Sequence, residues 1–369
     1  MFIYAEQLYR TLVELVRIPS TSGQEEYVRA YLEKHLTSLG LETQVDEMGN
    51  LIATMAGEGK PVLLNAHMDR VAPGLGHTPI LDDGVLYSDG RTNLGADDAA
   101  GITIILEVVR RAIEQQLQLP PLVLLFTVQE ECGLCGANGF DATRWNVADG
   151  IVFDNAFEAG VVVSKAGAYE TFDITISGKS GHPGKDLTGT VSAIEIFRQA
   201  NFTSGSLSFD QTRINIGRIN GGIARNAVAD TVTIEGEIRS FESPEARQQH
   251  RMALQEAFED AAQRLGGRVE INFKTQHEGY SISPDEPLLT MYQVALAQRG
   301  AVLQMQPTFI GSDAGGLRTN MQVFTLSTGV VNEHTKEEYV ALSPLEQIVV
   351  DTLHVLHLWR TQTLETELK

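Results

Sequence analysis

The chain has 369 residues, 43% hydrophobic and 21% charged, an ordinary globular composition at a length that exceeds what one hydrophobic core usually organises, so two domains are expected. A net charge of −20 argues against nucleic acid as a partner, because phosphate binding needs a basic surface. No run approaches the roughly 20 apolar residues of a membrane span, and the opening Met1-Phe2-Ile3-Tyr4-Ala5-Glu6 lacks the basic and apolar regions of a secretory leader. A cytoplasmic protein with no membrane partner is the expectation.

Leu8, Leu12, Leu15 and Val16 recur at helical spacing, and Pro19 ends that helix. Ser22-Gly23-Gln24-Glu25 has the form of a capping box for a second helix that exits at Gly40. Strand-like runs follow at Thr43 to Val45, Leu51 to Met55 and Val62 to Ala66, the last delivering His67. Residues 84–90 read as a turn-rich loop, and Ala99 to Glu114 as a buried helix with Asp97 just ahead of its first turn. Leu122 to Val128 is nearly all apolar, the pattern of a strand covered on both faces, and it ends in Glu130-Glu131. Ile151-Val152-Phe153 is a shorter strand ending in Asp154.

Near Gly167 the pattern changes to a two-residue alternation, in Glu170 to Ser177 and again in Asp230 to Arg239. Helices are expected from about Val191 to Ala200 and from Pro244 to Leu265, with a last strand at Arg268 to Phe273. This order describes an α+β sandwich of ferredoxin-like type. The earlier βα texture resumes after Pro284, with a helix from Leu288 to Gln298, the loop Gly311-Ser312-Asp313, a strand at Val323 to Leu326 and a closing helix from Ser343. The fold class expected is therefore α/β, a central mixed sheet flanked by helices, with the α+β sandwich inserted into it. The division places 1–167 and 283–369 in the first domain and 168–282 in the second.

Six short stretches carry metal-binding or proton-moving side chains: His67-Met68-Asp69, Asp97-Asp98, Glu130-Glu131, Asp154-Asn155, Gly181-His182-Pro183 and Glu333-His334. Most follow apolar strands, and in open α/β sheets binding groups gather at the carboxyl ends of strands. His67 and Asp69, two apart, are placed to face one side, where the carboxylate can take the remaining ring N–H and hold the tautomer. Two adjacent anions, Glu130 and Glu131, repel each other unless cations lie near; a metal pair would let one ligate while the other takes a proton from water. Each stretch alone has a plain structural explanation, a solvated loop or a helix cap, and the argument rests on their combination. Cys132 and Cys135 form a CxxC that fits a redox dithiol, half of a zinc site, or two small loop residues.

The stretches Leu64-Asn65-Ala66-His67-Met68-Asp69, Tyr87 to Asp98 and Thr127-Val128-Gln129-Glu130-Glu131 resemble the metal motifs of the co-catalytic di-zinc exopeptidases, a family that includes carboxypeptidases, aminoacylases and peptidase T, and most of all its peptidase T-like branch. The likeness covers nearly the whole chain in order. It implies two divalent ions per subunit, zinc with cobalt or manganese as alternatives, bridged by Asp97, with His67 and Asp154 on one ion and Glu131 and His334 on the other. It further implies Glu130 as general base, Asp69 as partner of His67, and an inserted lid domain that also forms a homodimer. His182 would stabilise the developing oxyanion in the partner subunit's site, Arg239 would hold the substrate carboxylate, and Asn226 and the loop 311–313 would touch substrate. The chain departs from the family pattern at Ala99, where relatives often carry lysine, at Ile310, where they often carry glycine, and in a loop between Asp69 and Asp97 shorter than that of peptidase T. The expected activity is metal-dependent hydrolysis of di- or tripeptides. N-acyl amino acid deacylation, a non-catalytic metal-binding protein and a thiol redox protein are the competing readings.

Overall fold

The computed structural model describes residues 2–154, 157–185 and 187–367, and Asn155 lies outside them. The chain divides into two compact units, residues 1–165 with 281–369 and residues 166–280.

The first unit opens with helices α1 (Phe2–Arg17) and α2 (Glu26–Ser38) and strands β1 (Glu42–Val45), β2 (Leu51–Met55) and β3 (Val62–His67). A hairpin, β4 (Ile80–Asp82) and β5 (Val85–Tyr87), precedes α3 (Ala96–Glu114), then β6 (Leu122–Thr127), the one-turn α4 (Cys135–Asn138), β7 (Asp149–Phe153) and β8 (Val162–Ala166). Residues 84–90 are thus not a plain loop, because β5 pairs with β4 and also with a strand far along the chain, at Tyr339–Ala341. The main sheet runs in the order β1-β2-β6-β3-β7, then Gln322–Leu326 and β8. Its centre is parallel: β3 pairs in that sense with both β6 and β7, and Gln322–Leu326 does so with β7. Every residue of β3 and β6 is buried, as expected for strands covered on both faces. Because these strands are parallel, their carboxyl ends open on one edge, and His67, the Gln129–Glu131 loop and Asp154 emerge there together.

The second unit comprises β9 (Ala168–Ser177), α5 (Ala193–Gln199), β10 (Gly205–Leu207), β11 (Thr212–Gly221), β12 (Thr231–Ser240), α6 (Pro244–Leu265) and β13 (Arg268–His277). Its antiparallel sheet has the order β10-β11-β12-β9-β13, the ferredoxin-like arrangement with β10 added at one edge. Alternate residues of β9 and β12 point inward, so Phe172, Ile174, Ile176, Val232, Ile234 and Ile238 meet Ile196 of α5 and Leu254 and Phe258 of α6 in one apolar core. Helix α6 starts at Pro244, with the Ser243 hydroxyl accepting from the Ala246 N–H, and stops at Gly266. On the same sheet, Glu170 is fully buried against Arg247 and Arg251.

After the second unit come β14 (Tyr280–Ser281), α7 (Pro287–Gln298), β15 (Met305–Thr308), the one-turn α8 (Ala314–Leu317), β16 (Gln322–Leu326), β17 (Val330–Val331), β18 (Tyr339–Ala341) and α9 (Leu342–Glu367). No helix among the described residues is long and apolar enough to cross a membrane.

Candidate metal centre

At the end of β3 the His67 ring is 2% exposed. Its Nδ1 lies 2.9 Å from the main-chain carbonyl of Asp69, while the Asp69 carboxylate is farther, at 3.5 Å. The backbone carbonyl is the nearer partner of Nδ1, and the expected carboxylate contact lies beside it as a longer one. Nε2 faces Asp97 Oδ1, 3.4 Å away, and donates toward it while the ring is protonated; a neutral ring with Nδ1 donating would have the Nε2 lone pair free for a metal ion.

Asp69 is instead the anchor of the neighbouring loop. Its Oδ1 accepts the Glu130 N–H at 2.9 Å, and its Oδ2 accepts the Glu131 N–H at 3.2 Å and the Ser22 hydroxyl at 2.7 Å. Burial works against its charge, but these bonds and His67 hold its carboxyl below the ordinary aspartate range. Glu25 takes the next amide along, accepting from Gln129 N–H at 3.1 Å and from Gly23 N–H at 2.8 Å. The capping box expected at residues 22–25 does not form. Helix α2 begins without a side-chain cap; Ser22 is recruited to Asp69 and Glu25 to the Gln129 amide.

Asp97 and Asp98, joined by a cis peptide, interrupt the first turn of α3 with non-helical backbone. Asp98 takes the capping role considered for Asp97: its Oδ1 accepts the Gly101 N–H at 2.9 Å and its Oδ2 the His67 N–H at 3.2 Å. A Cβ at Gly101 would lie 2.5 Å from both Asp98 oxygens and from the Phe153 carbonyl, so only glycine fits. Asp97 is thereby free to turn outward. Its Oδ1 faces His67, and its Oδ2 lies 3.1 Å from Nε2 of His334, which is also 2.9 Å from Glu131 Oε1. His334 and Asn332 both hold positive φ in the loop after β17. Asp154, at the end of β7, is 8% exposed, and its N–H donates to Leu326 of β16.

The charges of this group depend on one another. Burial disfavours the charged forms of both His67 and Asp97, yet hydrogen bonds to Asp69 and then Asp97 raise His67 well above the usual imidazole value, and those from His334 and then His67 lower Asp97. Contacts with Asp97 and Glu131 carry His334 up to about 10. Glu130 is pushed well above the carboxylate range by burial, with Asp154, Glu131 and Asp313 adding repulsion. The cluster attracts positive charge strongly, and each imidazole offers a place for it.

Ligand atoms of His67, Asp97 and Glu131 lie within 4.8 Å of one another. Two donors bound about 2.1 Å from one tetrahedral ion stand about 3.4 Å apart. The separations of 3.4 Å for His67 to Asp97, 3.1 Å for His334 to Asp97 and 2.9 Å for His334 to Glu131 are of that size. The nitrogen and oxygen donor set suits zinc, cobalt or manganese.

The remaining expected residues lie in the second unit. His182 is exposed in a turn, its Nδ1 accepting the Gly184 N–H at 3.0 Å. Asn226 is exposed on a neighbouring loop, which joins the first where the Val228 N–H donates to Gly181. Arg239 lies on β12 with its guanidinium 3.6 Å above the Tyr169 ring and 3.2 Å from Glu237. The loop 311–313 does not fit the substrate contact expected of it. Ser312 and Asp313 are 3% and 1% exposed, and Asp313 is bound to Asn65 and Thr127 beneath the strand ends. Cys132 is exposed and Cys135 half-buried, and both are free thiols.

Other residues that build the centre carry no local signal of that role in the sequence: Ser22 and Glu25 read as a capping box, Asp313 as part of a substrate loop, and Arg70 and Glu338 as nothing in particular. Glu338 directly precedes an apolar strand, the signal that drew attention to other residues only when they followed one.

Known proteins match this architecture over nearly its full length. The model of peptidase family M20/M25/M40 matches residues 63–358. YqjE of Bacillus subtilis is 30% identical over 93% of this chain and 95% of its own. A tripeptidase of Staphylococcus aureus superposes with a TM-score of 0.91 at 31% identity, covering 97% of this chain and 99% of that one. Aminopeptidase PepT of Bacillus cereus gives 0.86 at 29% identity, with 96% and 98% covered. The parallel-sheet edge, its histidine and carboxylate cluster, and a family match across most of the chain lead to one conclusion: the chain belongs to peptidase family M20/M25/M40 and is a metal-dependent peptidase.

Proposed function

We propose that the chain is an exopeptidase that removes residues from di- or tripeptides with two divalent ions, zinc in the first place, held by His67, Asp97, Glu131, Asp154 and His334. The observation that carries this reading is the placement of Asp97, whose two carboxylate oxygens face two histidines from distant parts of the chain, at 3.4 and 3.1 Å. Each oxygen can serve a separate ion, with Asp154 completing the His67 side and Glu131 the His334 side. When bound, the ions make a water more acidic and hold negative charge as it develops on the scissile carbonyl oxygen.

The chain's own groups do the remaining work. Glu130 is not assigned as a ligand; its carboxylate takes the proton of the attacking water and passes it to the departing amine. In the metal-free protein burial and neighbouring carboxylates raise its affinity for a proton, and bound ions would draw it back toward the ordinary carboxylate range. Asp69 holds the amides of Glu130 and Glu131 at 2.9 and 3.2 Å, so base and ligand keep a set spacing. Arg239 is assigned to the substrate carboxylate, with which a guanidinium forms two parallel hydrogen bonds. His182 is assigned to the oxyanion and Asn226 to substrate contact, His182 acting across a homodimer formed through the second unit. A cytoplasmic location accords with a diet of short peptides.

The test is hydrolysis of dipeptides, tripeptides and N-acetyl amino acids by the purified protein with zinc, cobalt or manganese, beside Glu130→Ala. Peptide cleavage is expected, with the variant retaining metal and losing at least ~100-fold in turnover. Full activity in Glu130→Ala would remove its role. Cleavage of N-acetyl amino acids alone would replace the peptidase reading with a deacylase.

A further inference from the structure

The loop that presents His334 ends four residues later at Glu338, a carboxylate with no exposed surface. Its Oε2 accepts the N–H of Gly95 at 2.9 Å, and its Oε1 accepts those of Ala96 at 2.8 Å and Asp97 at 3.2 Å. Glu338 is itself held at both ends of its backbone, its N–H donating to Thr335 and its carbonyl accepting from Ser88. A buried carboxylate is costly without partners. Here the free amides at the start of α3 and the charge of the buried Arg70 offset part of that cost, although burial still holds the carboxyl above the ordinary glutamate range.

Three consecutive amides held by one carboxylate fix the peptide planes that lead into Asp97, and with them the direction of its Cα–Cβ bond. Gly95 begins this run in the left-handed region at φ +74, and a Cβ there would meet Arg70 Cδ at 2.9 Å, so the backbone path is constrained from the other side as well. The same loop reaches Asp97 twice: Glu338 grips its main chain, while His334 meets its Oδ2 at 3.1 Å.

We propose that Glu338 is a positioning residue that aims the Asp97 carboxylate between His67 and His334 by holding the amides of residues 95–97. The inference rests on the reading that Asp97 bridges two ions. Because a bridging group serves both, loss of Glu338 weakens both together, whereas loss of a ligand to one ion weakens that one first. Outer partners that orient ligands typically contribute about 10- to 100-fold in metal affinity.

The experiment is a zinc titration under chelator competition, with cobalt visible spectra, on the full-length metal-free protein, Glu338→Gln and Asp97→Ala. In Glu338→Gln an NH2 group faces an amide N–H where an oxygen stood. Both affinities are expected to fall at least about tenfold, with an altered cobalt spectrum and a retained circular-dichroism signature. A variant that only melts at lower temperature, with the original affinities and cobalt spectrum, overturns the proposal. Hydrogen exchange on the unaltered metal-free protein needs no variant: protected amides at 95–97 are expected, and exchange there at free-chain rates overturns the clamp. Undiminished binding of both ions by Asp97→Ala would instead sink the bridging reading beneath it.

Discussion

In the second unit Glu170 has no exposed surface, and two guanidinium groups close around it, Arg247 Nε at 2.9 Å and Arg251 Nε at 2.6 Å. In the first unit Asp97 and Glu131 face imidazoles instead, with His334 Nε2 between them at 3.1 and 2.9 Å. Arginine stays charged at any ordinary pH and offers no lone pair, so the Glu170 cluster is permanently closed. Histidine can release its proton and present nitrogen to a metal, so the Asp97 cluster is open to exchange. Among buried carboxylates, the cationic partner separates the structural cluster from the chemical one.

Breaking the open cluster has the largest expected effect. Asp97→Ala removes the carboxylate whose two oxygens lie 3.4 and 3.1 Å from the two histidines, and peptide hydrolysis should fall by at least about 1000-fold, the scale of several kcal/mol of lost charge stabilisation. Metal analysis should show both ions weakened, whereas in His334→Ala one ion is lost before the other. Equal retention of both ions in His334→Ala would place that residue outside the centre.

Breaking the closed cluster should give the opposite pattern. Glu170→Ala takes the buried carboxylate from Arg247, 4% exposed, and leaves it the exposed Glu278; removal of one partner from a buried pair typically destabilises by up to about 3–5 kcal/mol. Denaturant unfolding should register that loss while metal content per folded molecule is unchanged. Although burial opposes it, the two arginines hold the Glu170 pKa below the ordinary glutamate value. The unfolded chain therefore binds the proton more readily, and this contribution is present above the ordinary value and lost as pH falls through the folded one. An isosteric Glu170→Gln protein should have a shallower acid limb in its stability profile; an unchanged limb would mean that Glu170 is not a source of the acid sensitivity.

The smallest effect is expected at the free thiols. Cys132→Ser with Cys135→Ser should leave hydrolysis unchanged, since neither sulfur holds a loop amide or faces the histidines. A collapse of activity in that double variant would restore the thiol reading.

The proposed ligands drew attention in the sequence because most sit at the end of a short apolar run, a local signal to which the family resemblance added their roles. His67 after Val62–Ala66 and Glu130-Glu131 after Leu122–Val128 show their placement within a few residues. Their supports were not legible, since they depend on pairings between distant segments. Ser22 and Glu25 have the sequence of a capping box, yet in the fold Ser22 donates to Asp69 and Glu25 accepts from the Gln129 amide, leaving the start of α2 without a side-chain cap. Val85–Tyr87 looks like a loop until Tyr339–Ala341 pairs with it, and Glu338 arrives beside Asp97 on that same pairing. Of Asp97 and Asp98, only the folded backbone decides which caps the helix and which turns outward.

The first unit is written in two pieces, residues 1–165 and 281–369, and the centre draws on both. His67, Asp97, Glu131 and Asp154 are all translated before the second unit, whereas His334 and Glu338 follow it. On the ribosome, then, four of the five proposed ligands emerge before the second unit, and His334 and Glu338 only after it. On that assignment a nascent chain can fold its ferredoxin-like insert while the peptidase is still one histidine short, so hydrolytic capacity has to follow the insert.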